Sequence, residues 1–248
     1  MSLYTMTGFI ELATDHDRLE EYRRIAAFNR KCGVNVHEIS PKEVLDLFPL
    51  CRVDDVLAGF YVPDDGRVNP VDVTMSLARG AKMGGVTIIE GCAVKGVNEV
   101  VVNGQRRVSG VVTADDQVIH ADKVVNCTGM WARQLGEQNG VAIPNQAAEH
   151  YYLITDDMAG IDPSWPVVED PSSHTYIRPE GGGLMLGLFE PLAAAWNTKR
   201  IPHDFSFGEI SPDWDRMSPF VEKAMNRVPT TLTTGESFPQ PRMTVKLL

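Results

Sequence analysis

The sequence lacks any apolar run long enough to cross a membrane as a helix, and its N-terminus, Met1-Ser2-Leu3-Tyr4-Thr5-Met6, shows no basic region followed by an apolar stretch. Neither a signal peptide, an Arg-rich transit peptide nor a membrane span is therefore expected. No C-x-x-C pair occurs among Cys32, Cys51, Cys92 and Cys127. That excludes the usual zinc and dithiol motifs and leaves free, mostly buried thiols in a reducing compartment as the plain expectation. Basic charge is in deficit: 23 Lys and Arg against 33 Asp and Glu leave a formal net charge of -10. Nucleic acid or an anionic membrane would need a basic face, so neither is expected as the main partner. His16, His37, His120, His174 and His203 stand in no metal-ligand spacing. What is present, 43% hydrophobic and 23% charged residues over 248 positions, suits a folded chain of one large domain or two smaller ones.

The organising stretch is Val124-Val125-Asn126-Cys127-Thr128-Gly129-Met130-Trp131-Ala132. It reads as a short apolar strand running into a glycine turn, followed by a helix through Arg133-Gln134-Leu135-Gly136. Gly129 would let the backbone approach a ligand, and the free N–H groups of the helix start favour an anion such as a pyrophosphate. An ordinary strand-to-helix turn accounts for the same residues.

Along the chain, Gly8 to Ala13 reads as a strand. Asp15 can cap a helix that runs to about Lys31, with Leu19, Tyr22, Ile25 and Ala26 at helical spacing. Ser40-Pro41-Lys42-Glu43 carries the cap, proline and glutamate of a second helix start, which Pro49 ends. Leu57 to Val62 is a strand, Pro63 to Gly66 a turn, and Asn69-Pro70 opens a helix over Val71 to about Met83. Its small residues Ala78, Gly80 and Ala81 would let it lie close on a sheet. Val86 to Glu90 is expected as a buried strand. A meander follows over Glu99–Val102, Arg107–Thr113 and Val118–His120, with Asn103-Gly104 as a hairpin turn. Beyond Pro144, strands are expected at Ala148–Thr155, Thr175–Arg178 and Leu184–Phe189, and a helix at Asp213–Arg227. The run Gly181-Gly182-Gly183 is a hairpin turn, because no strand-to-helix transition follows it.

The order of helix, strand, three-stranded meander and glycine turn resembles the second half of a flavin-binding Rossmann-type domain of the glutathione-reductase sort. With Gly8 to Ala13, Tyr61 to Gly66, Val125 to Ala132, Glu149 to Thr155 and Tyr176-Ile177-Arg178, the chain resembles flavin-dependent amine oxidoreductases of the D-amino-acid-oxidase superfamily from about Gly8 to Phe238. Within that superfamily it is similar to the dimethylglycine dehydrogenase and sarcosine dehydrogenase group, with the regulatory subunit of pyruvate dehydrogenase phosphatase as a relative.

The resemblance implies a mixed α/β fold: a partial FAD-binding Rossmann domain with its meander, plus a substrate domain on an antiparallel sheet. It implies FAD as cofactor, with Val94, Cys127, Thr128, Gly129 and Trp131 on the adenosine and pyrophosphate side. It also implies that His150 and Tyr176 line the pocket over the flavin ring, where imidazole can take a proton from the substrate amine and a tyrosine hydroxyl can orient it. From the residues alone, Val94 is a core valine, Trp131 a core aromatic, His150 a hydrogen-bonded strand residue and Tyr176 a half-buried ring. Arg178 would cover the sheet edge.

The expected division is a segment leading into the substrate domain (1–69), a partial FAD-binding domain (70–144), the substrate domain (145–235) and a divergent tail (236–248). No G-x-G-x-x-G opens a helix in this sequence, so the chain reads as the middle of a catalytic module. FAD binding by the chain alone is in doubt, and the open apolar sheet edge invites association. Three readings follow: an oxidoreductase fragment acting on N-methyl amino acids such as dimethylglycine or sarcosine, a non-catalytic regulatory or scaffold protein, or an inactive truncated product. The expected location is the cytoplasm for a bacterial source and the mitochondrial matrix for a eukaryotic one.

Overall fold

The computed structural model of the protein describes residues 4–201, 205, 208 and 210–232. The expectations placed on His203 and on the tail at 236–248 lie outside these residues. The chain divides into two compact units, one from Met1–Thr74, His150–Ala193 and Ser206–Leu248, the other from Met75–Glu149 and Ala194–Phe205.

The first unit is built on a seven-stranded sheet in the order β3-β4-β2-β10-β11-β12-β9. Its strands are β2 (Phe9–Ala13), β3 (His37–Ile39), β4 (Ala58–Val62), β9 (Tyr152–Ile154), β10 (Val167–Asp170), β11 (Thr175–Glu180) and β12 (Gly183–Leu188). Every pairing is antiparallel except that of β10 with β2, so the sheet is mixed rather than purely antiparallel. Strands β1 (Tyr4–Met6) and β5 (Gly66–Val68) form a separate pair. The hairpin from β11 to β12 turns at Gly181 and Gly182, at φ 58° and 92°, the left-handed conformation that glycine adopts without strain.

Period-two alternation gives the sheet two different faces. One buries Ile10, Leu12, Val168, Ile177, Leu186 and Leu188 against Met217, Val221 and Ala224 of α5 (Trp214–Arg227) and against Val44 of α2 (Pro41–Leu47). The other is covered at its β2–β4 end by α1 (His16–Lys31), through Leu19, Tyr22 and Ala26. The helix starts are local chemistry. Asp15 accepts from the Arg18 N–H, and Ser40 and Glu43 cap each other reciprocally at the start of α2. Ile25, expected on the apolar face of α1, is 43% exposed. Arg227 at the end of α5 is buried, donating from Nε to Asp170 (2.9 Å) and from Nη1 and Nη2 to Asp55 (2.6 and 3.0 Å).

The second unit holds the meander β6 (Val94–Val102), β7 (Gln105–Thr113) and β8 (Val118–His120), an antiparallel sheet with Asn103 and Gly104 both at positive φ in its turn. Two expected strands do not form. Residues 86–90 and 124–126 pair with no strand among the described residues, and Val86, Ile89 and Val125 are 54%, 60% and 81% exposed. An apolar run becomes a strand only where a neighbouring strand takes up its N–H and C=O groups, and here none does. None of the residues of α3 (Pro70–Met83), expected to lie close on a sheet, is buried. The cysteines also depart from expectation. Cys51 is buried, whereas Cys32 and Cys127 are exposed and Cys92 intermediate, because the last two lie in loops of this open segment.

Candidate functional site

In the first unit, register places Phe60, Glu11, Glu169, Tyr176, Gly187 and Tyr152 in one row across β4, β2, β10, β11, β12 and β9. They share the face opposite the main core. Tyr176 lies flat over Gly187, where a Cβ would overlap its ring. Burial pushes the Tyr176 phenol above the ordinary tyrosine range; the Arg178 charge opposes this and the Glu169 charge adds to it. Glu169 and Glu11 are both held above the ordinary carboxylate range, chiefly by burial. Their mutual repulsion adds to the shift of Glu169, while the Tyr22 hydroxyl opposes that of Glu11 by hydrogen bonding to it. Arg178, expected to cover the sheet edge, stands instead on β11 between β10 and β12, and is paired with Glu180.

His150 precedes the buried Tyr151 and β9 and has no strand assignment of its own. Its ring stacks on Phe189 at a centroid distance of 5.4 Å and an interplanar angle of 28°. Phe189 also meets Tyr176, at 5.3 Å and 44°. The structure thus brings His150 and Tyr176 together through one phenylalanine that leaves the end of β12, while its backbone N–H donates to the His174 carbonyl (2.8 Å). Next to it, the Glu190 carboxylate approaches His150 Nδ1 at 3.7 Å. Phe189, Gly187 and Glu190 were not singled out from sequence. Their roles depend on strand register, although an acidic residue between Phe189 and Pro191 at a strand end is a signal that was available.

In the second unit, four of the five proposed cofactor residues lie on one turn. Asn126 Oδ1 accepts from the Thr128 N–H (3.3 Å) and hydroxyl (2.8 Å), and Asn126 Nδ2 donates to the Ala132 carbonyl (3.0 Å). Gly129 then takes φ 55° and opens a 3-10 turn to Trp131, followed by α4 (Ala132–Gln138). Nothing lies within 4 Å of where a Gly129 Cβ would be, and Cys127 and Thr128 are exposed. The turn therefore presents open backbone, which fits the approach of a polar ligand. The fifth residue, Val94, starts β6 and is 45% exposed rather than a core valine. The element it begins is tied to the end of α4 by Asn139, whose side chain donates to the Val97 carbonyl (3.1 Å). A cavity of about 260 Å³ opens beside the turn, lined by Met130, Arg133, Gln134, Asn145, Gln146 and Trp196 among others. Among the described residues no cluster of His, Cys, Asp and Glu is arranged to hold a metal, and no helix is long and apolar enough to cross a membrane.

Comparison with known proteins agrees with this architecture. The chain is 36% identical over 233 residues to the mitochondrial sarcosine dehydrogenase of Homo sapiens, covering 94% of this chain and 25% of that protein. It is 35% identical over 237 residues to the mitochondrial pyruvate dehydrogenase phosphatase regulatory subunit of Mus musculus, covering 93% and 26%. The chain thus spans about a quarter of the length of these curated relatives. The crystal structure of L-proline dehydrogenase from P. horikoshii superposes with a TM-score of 0.76 at 22% identity, covering 98% of this chain and 59% of that one, so the fold is shared. Residues 2–240 match the model of the DAO family, described as FAD dependent oxidoreductase, and the chain belongs to that family.

Proposed function

We propose that this chain forms part of an enzyme that oxidises a secondary or tertiary amine at an N-methyl carbon, as in sarcosine or dimethylglycine. The observation that carries the reading is the pairing of His150 and Tyr176 on Phe189, on the sheet face that α1 covers at its β2–β4 end, with Tyr176 two strands away from β2. A protonated amine has no lone pair to expel hydride, so a base must first take its proton; His150 is that base, and the Tyr176 hydroxyl orients the amine. The product is an imine or iminium, which adds water and releases formaldehyde. FAD, when bound, is the hydride acceptor. Val94, Cys127, Thr128, Gly129 and Trp131 would hold its adenosine and pyrophosphate side. No G-x-G-x-x-G is present in these 248 residues, so the isolated chain is expected to retain little or no FAD.

The test is formaldehyde release from sarcosine and from dimethylglycine by the flavin-loaded full-length protein. Turnover of either supports the reading, and turnover of neither removes it. A non-catalytic regulatory role is the second reading, favoured by a relative that is a regulatory subunit at 35% identity.

A further inference from the structure

We infer that Glu190 is a positioning residue for His150, fixing the imidazole with its proton on Nδ1 and its lone pair on Nε2. This rests on the reading that His150 takes the proton of the substrate amine.

The Glu190 side chain is only 4% exposed, and neither of its oxygens has a hydrogen-bond partner among the described residues. Pro191 follows it, so the next backbone position has no N–H to offer. A buried carboxylate without donors is costly, and its persistence calls for a cation or a donor that comes to it. The group that faces it is His150, with Nδ1 3.7 Å from Glu190 Oε2. Stacking on Phe189 holds the plane of that ring, and of its two flipped orientations in that plane the one seen here turns Nδ1 to Glu190. The two ring nitrogens diverge, and with Nδ1 turned to Glu190, Nε2 points away from it. A donor at Nδ1 is the arrangement the carboxylate favours, which leaves Nε2 as the acceptor.

The proton step balances without any other reactant. The N–H bond of the ammonium breaks, an Nε2–H bond forms, and the amine keeps the electron pair. Positive charge moves from substrate to imidazole, 3.7 Å from a carboxylate that has no hydrogen-bond partner among the described residues. The gap closes to a charge-assisted hydrogen bond at that moment.

The tautomer can be read directly from ¹⁵N and ¹H NMR of the histidine-labelled 248-residue chain. The expected result is His150 with its proton on Nδ1, and loss of that form in Glu190→Leu, which removes the acceptor without leaving a buried charge. A wild-type His150 protonated on Nε2, or a Glu190→Leu variant that keeps the Nδ1 proton, overturns the inference. If the leucine variant does not fold, the wild-type spectrum alone decides. An unchanged turnover in His150→Ala would instead remove the catalytic reading while leaving the tautomer result standing.

Discussion

Tyr176 lies across Gly187, its partner on the neighbouring strand, so closely that a methyl group at position 187 would occupy the space of the ring. Glycine here is a packing requirement and not a conformational one, since the backbone at 187 is ordinary strand. Gly187→Ala should displace the Tyr176 ring from Phe189 and cost about 1–3 kcal/mol of stability through overpacking. Urea unfolding measures the cost. In the flavin-loaded full-length protein, amine turnover should fall in the same variant.

Arg227 draws together α5, the end of β10 and the loop bearing Asp55. Its side chain is 4% exposed and that of Asp170 only 2%. Arg227→Ala should destabilise the fold by about 3–5 kcal/mol, because it leaves the Asp170 charge buried and unpaired. A midpoint of chemical unfolding that does not move would contradict this account of the core.

Two sets of carboxylates push stability in opposite directions with pH. Hydrogen bonds from Arg227 hold Asp55 below the ordinary carboxylate range, so its contribution is present above that range and is lost as pH falls through the lowered value. Glu11 and Glu169 are raised by burial, so the fold loses stability as pH climbs from the ordinary carboxylate range through their raised values. The double variant Glu11→Gln with Glu169→Gln should remove that decline, as seen in thermal midpoints recorded across mildly acidic to neutral pH.

The thiols should separate by alkylation. Cys127 and Cys32 are exposed, whereas burial pushes the Cys51 thiol up to about 12. Iodoacetamide on the native protein should label the first two and spare Cys51 until denaturant is added, with peptide mass spectrometry as the readout.

Local chemistry was the legible part of the fold. Asp15, the Ser40–Glu43 box and the Asn103-Gly104 turn each act within a few residues, and each does in the structure what its spacing implies. Pairing between distant segments was less legible. Val124-Val125 looked like a strand because apolar residues favour one, yet a strand exists only with a partner, and they pair with none among the described residues, with Val125 in the open. The converse held at Val167–Asp170, a short run ending in two acids that gave little sequence signal but lies mid-sheet between β2 and β11. In the candidate site, His150 and Tyr176 came from resemblance. Gly187 became visible once register set it beside Tyr176, and Phe189 and Glu190 once the end of β12 placed them against His150.

The most direct test of the central claim is the anaerobic rate of flavin reduction by sarcosine and dimethylglycine in the full-length protein and its His150→Ala variant. Loss of a positioned base predicts a rate lower by about 10²–10⁴-fold for the variant. An unchanged rate would mean that His150 is a stacked strand-end residue and that the amine loses its proton elsewhere.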